Sequence, residues 1–483
     1  MRNQFKYVVN SDIVFKFRVL PTLVLLIAMS SCKKLVDVNP PITSITGASV
    51  YTTDANSISA VTGIYSGMMN TGIAGGMVSM SLYPGLSADE FSVYGSNATY
   101  GPFYTNNLNS SVTGNNIFWD VIYPMIYTIN SVISGVGSSN SLTPAIKQQL
   151  LGETTFMRAF CYFYLTNLYG DVPLVTGTDY TSNARLARTP QAQVFQQIIT
   201  DLKTADSLLA RNYVDGTLLL STAERVRPTK WAAAALLARA YLYTGDWADA
   251  EIQADSVIAN SALYKLGTLS NAFKRDSSEA IWQLQPVALV GQNTPDALLF
   301  ILPATGPSVT SFPIYLNNDL VNSFEPGDKR RLNWVDSVVV GGIKYFYAYK
   351  YKVNTNTNPV SEYEMVLRLG EVYLIRAEAR AQENNLSGAS DDLDLIRFRA
   401  GLGATTATTK DSLLSAIYHE RRVELFSEWG HRWFDLRRTG MIDAVMDTAA
   451  AKKGGTWASY KGLYPIPISE ITLDPNVVQN SGY

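Results

Sequence analysis

The sequence predicts a mainly α-helical fold in which tetratricopeptide-type helical pairs carry a loop-rich insertion with short strands. Three observations predict it. Apolar residues recur at helical spacing before residue 264 and after residue 360. From Pro228 to Ala259, the residues Leu237, Ala238, Tyr241, Gly245, Trp247, Ala250 and Ala254 follow tetratricopeptide spacing, where small side chains let two antiparallel helices approach and an aromatic ring fills the gap. Between the two helical regions, Tyr264 to Val360 carries Gly, Pro and Asn throughout, which breaks regular structure.

The elements follow in order. Lys16 and Arg18 precede an apolar run from Leu20 to Met29, and small Ser30 and Ser31 lead into Cys32. The run is shorter than the roughly 20 apolar residues a membrane span requires, so residues 1–31 read as a signal peptide. The small residues before the cysteine resemble a bacterial lipoprotein cleavage box, which makes Cys32 the lipidation site, and Lys33 and Lys34 after it, in place of the Asp that holds such lipoproteins in the inner membrane, make the outer membrane the expected address. Leu35 to Ile45, with Pro40 and Pro41, reads as a short extended leash. Residues 32–483 are then one body: an N-terminal helical part (32–263), the insertion (264–360) and a C-terminal helical region (361–483).

Within that body, Ile58, Val61, Ile64, Tyr65 and Met68 mark a helix over Asn56 to Met69. Thr71 to Asn116 reads as loop, Phe118 to Ile133 as a second helix, and Thr143-Pro144 as the cap and first-turn proline of a third that ends at Tyr169. In the insertion, Lys344 to Lys352 alternates so that Tyr345, Tyr347, Tyr349 and Tyr351 share one face of a strand; this ladder is assigned to packing. Helices return at Glu362 to Glu383, Ala389 to Arg399, Lys410 to Ser427 and His431 to Met446. The alanines Ala250 and Ala389 hold equivalent places in two helical pairs, so the pairs are not tandem units but are separated by the insertion.

Composition excludes several functions. In 483 residues, 39 basic against 41 acidic side chains leave a net charge of −2, without the basic excess of a nucleic-acid binder. Charged residues make up 17%, below the usual share of about 25%, and 28 Tyr with long Ser, Thr and Asn tracts take their place. That surface suits neutral, hydrogen-bonding ligands. Two cysteines, Cys32 and Cys161, cannot staple a fold, and two histidines, His419 and His431, twelve residues apart, do not form a metal pair. No cofactor or metal site is expected. The sequence contains no nucleophile elbow, phosphate-binding loop, dinucleotide fingerprint or HExxH motif.

The densest segment runs from Glu420 through Arg421, Arg422, Glu424, Glu428, Trp429, Trp433 and Asp435 to Arg438. Charges of both signs interlace with aromatic rings, and packing explains them better than catalysis does, because the arginines and carboxylates neutralise one another. From Glu420 to Gly440 the chain resembles the C-terminal signature of the SusD/RagB family. The resemblance extends to Phe324–Arg330, Arg368–Ala379, the Leu463–Pro467 stretch, the ending through Asn480 to Tyr483, and Trp119, Tyr123 and Asn130. It implies a SusD-like, mostly helical scaffold and a non-catalytic binding protein with a SusC-like TonB-dependent transporter as partner. It further implies a ligand that is an oligosaccharide or, alternatively, a peptide. By the family's use of aromatic rings on loops, the candidate ligand residues are Tyr94, Tyr100, Tyr104, Tyr315 and Trp334. Two rival readings are a surface glycoside hydrolase and a helical-repeat scaffold with no small ligand.

Overall fold

The computed structural model describes residues 50–75, 78–111 and 117–483. The signal peptide, Cys32 and the leash lie outside the described residues.

The helices stack as antiparallel neighbours. Among them α1 spans Asp54–Asn70, and the short α2 Tyr83–Ser87 and α3 Gly101–Tyr104 lie in what the sequence presents as a long loop, flanking strand β1 at Phe91–Val93. Next, α4 (Ile117–Ser138) packs on α5 (Pro144–Tyr169), whose first-turn proline stands where the sequence places it. After the two-residue β2 (Val172–Pro173), the single-turn α6 (Tyr180–Asn183) and β3 (Arg188–Thr189), α7 (Gln191–Leu208) packs on α5 and then on α8 (Lys230–Thr244). Helix α8 pairs with α9 (Trp247–Ile258) as the repeat spacing requires. Ala232 to Ala235, Ala238 and Ala240 are all buried, because α8 is covered by neighbours on every side and only small side chains admit them.

The insertion follows and contributes β4 (Ala280–Leu284), α10 (Pro295–Phe300), β5 (Ile314–Leu316), α11 (Asn318–Val321) and α12 (Arg330–Asn333). It ends in a hairpin, β6 (Val335–Val340) and β7 (Ile343–Ala348). Its two-residue turn, Gly341 and Gly342, has φ of +59° and +82°; that left-handed pair of conformations matches the twist of the strands and is open to glycine at little cost. The expected strand over Lys344 to Lys352 is therefore shorter: it stops at Ala348, and Tyr349 and Tyr351 lie beyond it.

Beyond the insertion, the helix expected over Glu362 to Glu383 divides. Glu364–Arg368 is strand β8, buried at all five positions and paired antiparallel with β4, and α13 begins only at Leu369 and ends at Gln382. A fully buried strand lacks the alternation that would mark it in sequence. Helix α13 packs against α9, so the two helical pairs that the insertion separates in the chain are neighbours in space. Helices α14 (Leu386–Arg399) and α15 (Lys410–Glu424) extend the stack. The expected helix from His431 to Met446 is two, α16 (His431–Arg438) and α17 (Ile442–Lys452), and α18 (Ile468–Leu473) lies near the end of the chain. No helix among the described residues is long and apolar enough to cross a membrane.

Candidate functional site

The Glu420–Arg438 segment forms the charged interior of the molecule. Arg330, fully buried, bonds Asp328 at 2.8 Å, Glu420 at 2.6 Å and Glu424 at 2.9 Å. Arg368 bonds Glu424 at 2.6 Å and Glu428 at 2.7 Å. Arg399 pairs with Glu279 at 2.5 Å and also with Glu424. Lys350 donates to the carbonyls of Glu424 at 2.8 Å and Phe426 at 2.7 Å and pairs with Glu428. Burial alone would push the Glu424 carboxyl up, but Arg399, Arg368 and Arg330 outweigh it and hold the group well below the carboxylate range. Its members are bonded chiefly to one another inside the protein, as in structural ion clusters, which argues against a substrate site there.

Trp334 belongs to this interior. It is 0% exposed, its indole N–H donates to the Leu269 carbonyl at 2.9 Å, and its ring lies 5.0 Å from the Lys350 ammonium. Both its faces and its polar edge are inside the protein, which removes it from the candidate ligand residues.

The other four candidates lie on the sheet formed by β1 and β5 and on the turns beside it. Strand β1 pairs with β5 so that Ser92 faces Tyr315, and the Tyr94 N–H donates to the Pro313 carbonyl at 2.7 Å. Tyr94 is 37% exposed, and Tyr104 and Tyr315 are half-buried. Burial raises both of these phenols above their ordinary range, and a hydrogen bond with Ser92 partly offsets the rise in each. Ser92 on β1 thus lies close to both phenols, one from α3 and one from β5.

Tyr345, which the sequence alternation assigns to packing, joins them. Its ring centroid lies 5.8 Å from that of Tyr94 and 5.3 Å from that of Tyr315, with interplanar angles of 76° and 88°. Edge-to-face pairs at this spacing are attractive in their own right, so the rings brace each other. Tyr100 stands to one side, tilted against buried Tyr83 at 5.8 Å. Asn97 fixes the turn between them: its side-chain oxygen accepts from the N–H groups of Thr99 and Tyr100, each at 3.0 Å, and its amide donates to the Val309 carbonyl at 3.1 Å.

The result is a partly exposed patch of tyrosine rings and hydroxyls, Tyr94, Tyr104, Tyr315 and Tyr345, built from three separate stretches of chain. Rings of this kind present an apolar face and a polar tip, the combination that matches a sugar's C–H face and hydroxyls. The acids that follow α2 in the chain do not serve it. Asp89 is buried and paired with Arg422 at 2.8 Å and Arg432 at 2.7 Å, and Glu90 is buried, its carboxyl pushed up to about 8 by burial and by Asp89. Two concavities lie elsewhere: one of about 510 Å³ between α1 and α4, one of about 350 Å³ beside Tyr65 and Arg227, and neither shares a residue with the patch.

His431 is buried 3.9 Å from Glu371, and burial lowers its imidazole to about 4. Among the described residues no group of three or more His, Cys, Asp or Glu is placed to hold a metal ion. Cys161 is buried, and its thiol is pushed up to about 12 by burial.

Residues 36–242 match the family described as "Starch-binding associating with outer membrane", and residues 312–483 match the SusD family. SusD-like protein P25 of Formosa agariphila is 25% identical over 525 residues, covering 95% of this chain and 98% of its own. The starch-binding protein SusD of Bacteroides thetaiotaomicron is 35% identical over 123 residues, 24% of this chain and 21% of its own. Among solved structures, a SusD superfamily protein from Bacteroides vulgatus superposes with a TM-score of 0.77 at 21% identity, covering 89% of this chain and 99% of the other. A laminarin-binding SusD-like protein superposes with a TM-score of 0.73 at 23% identity over 90% and 100% of the two chains.

Proposed function

The chain belongs to the SusD/RagB family, and on that premise we propose that it captures oligosaccharide on the tyrosine patch and passes it uncleaved to a SusC-like TonB-dependent transporter. The lipid on Cys32 would hold it at the outer membrane. One observation carries the reading: Tyr94, Tyr315 and Tyr345 meet ring to ring on one partly exposed surface from parts of the chain more than 200 residues apart, and Tyr104 lies near Tyr315. The starch-binding and laminarin-binding descriptions of similar proteins favour glycan over peptide as the ligand. Cleavage is disfavoured because Asp89 is committed to two arginines and Glu90 is buried.

The test is a thermal-shift screen of the mature chain against starch- and laminarin-derived oligosaccharides and short peptides. A ligand present at 100 times its Kd adds about 2.7 kcal/mol to stability, an easily read shift. The expected result is a shift with one glycan class, lost in Tyr315→Ala, with no new reducing ends after incubation. A shift with peptides alone would replace glycan by peptide, and silence across both panels would favour a scaffold that contacts only its membrane partner.

A further inference from the structure

Lys453, the residue that follows α17, is 5% exposed, and among the described residues it has no ion-pair partner. Its ammonium instead donates to three successive carbonyls, Leu86 at 2.9 Å, Ser87 at 3.1 Å and Ala88 at 2.8 Å. These are the last turn of α2 and the start of the segment that becomes β1. The same ammonium lies 5.5 Å from the centroid of the Tyr104 ring. Two residues on, Gly455 is pressed onto the backbone of α3's end, where an added Cβ would lie 2.1 Å from the Thr105 carbonyl oxygen. Asn106 completes the arrangement by donating to the Ser87 carbonyl at 2.8 Å.

A buried lysine without a carboxylate costs several kcal/mol of desolvation, and an apolar side chain of similar length would avoid that cost. What the amine supplies and an apolar chain cannot is three donors from one point. We propose that Lys453 is a positioning residue for the ligand site, fixing β1, which carries Ser92 and leads into Tyr94, against α3, which carries Tyr104, so that the rings form one surface. The inference rests on the glycan-binding reading of that surface and adds to it a residue that touches no ligand.

Burial lowers the Lys453 amine to about 7, with Asp89 acting in the opposite direction. The charged and titratable groups around it are Asp89 and Glu90 on the α2–β1 segment, Arg422 of α15 and Arg432 of α16 acting through Asp89, and the Tyr104 phenol of α3. Loss of its proton leaves two N–H donors for three carbonyls, so the hold slackens as pH rises through neutrality.

The experiment measures oligosaccharide affinity by calorimetry for the full mature chain and for Tyr315→Ala, Lys453→Met and Lys453→Arg, using maltohexaose and laminarihexaose as probes. Lys453→Met, at a temperature where it is folded, is expected to bind about tenfold more weakly. Lys453→Arg, still charged, is expected to recover most of that loss and to bind equally from about pH 6 to pH 8, whereas the wild type weakens across that range. Wild-type affinity in a folded Lys453→Met overturns the proposal, and so does a pH slope that persists in Lys453→Arg, which would belong to Glu90. Tyr315→Ala binding like wild type, or no binding by the wild type, removes the underlying reading instead. Fluorine resonances of 3-fluorotyrosine-labelled, ligand-free protein then still decide the role of Lys453: unchanged Tyr94 and Tyr104 signals in a folded Lys453→Met, or in the wild type between about pH 6 and pH 8, overturn it.

Discussion

At the scale of single residues, chemistry and place can disagree, and Trp334 is the clearest case. A tryptophan in a Gly- and Asn-rich stretch invites the reading of a sugar platform, yet its indole bonds a carbonyl 65 residues away and its ring packs on ammonium and guanidinium groups. Trp334→Ala is expected to cost about 3–5 kcal/mol in denaturant unfolding and to leave the affinity of the remaining folded protein unchanged. Asp296 and Glu364 are a second case, buried carboxyls lining one small cavity. Burial raises Asp296 to about 7 and pushes Glu364 up as well. Asp296 holds a proton in the folded state that it has lost in the unfolded chain, so its contribution falls as pH rises from about 4 toward 7, by up to about 1.4 kcal/mol per pH unit, and the raised Glu364 acts in the same sense. Asp296→Asn removes its share, and the expected outcome is a flatter dependence of unfolding free energy on pH than in the wild type across that window.

Elements decide how the binding surface is assembled. The β6–β7 hairpin carries Tyr345, and its turn depends on two glycines with positive φ. Gly342→Val forces a β-branched residue into the left-handed region at a cost of about 1–2 kcal/mol. Since Tyr345 touches both Tyr94 and Tyr315, the expected result is a loss of oligosaccharide affinity, while the helical scaffold, reported by far-ultraviolet circular dichroism, stays intact. Elements also explain what sequence could reveal. The α8–α9 pair was legible because alanines at helical spacing admit only close helix packing, and α5 because Thr143-Pro144 opens it. Strand β8 was not, since five consecutive buried residues look alike in a strand and in a buried helix. Sequence assigns Tyr345 to packing because its strand leads toward a helix start rather than a loop tip; alternation along one strand shows which residues share a face and says nothing of what that face meets. Its neighbours come from residues 94 and 315 and are visible only once β1 has paired with β5.

For the whole molecule, the ligand surface and the charged interior are distinct. The interior's arginines are matched by carboxylates, so removing one partner leaves the others buried and uncompensated. Arg330→Ala, which strands Asp328 and takes a partner from Glu420 and Glu424, is expected to destabilise the protein by about 3–5 kcal/mol in denaturant unfolding. Sequence conveyed that this cluster is structural, because its charges balance within one short segment. Its partners Arg330, Lys350, Arg368 and Arg399 could not be paired without the fold that brings them there.

Glu424 accepts from Arg330, Arg368 and Arg399, delivered by the insertion, by the strand that follows it and by α14. None of these can settle early, because a guanidinium buried before its carboxylate arrives is a bare charge in a dry interior, and a carboxylate buried first is no better. Closure of the helical stack and seating of the insertion are therefore expected to be coupled. A chain built this way is expected to unfold in one transition, with no stage in which the helical stack stands finished while the insertion is open to proteolysis.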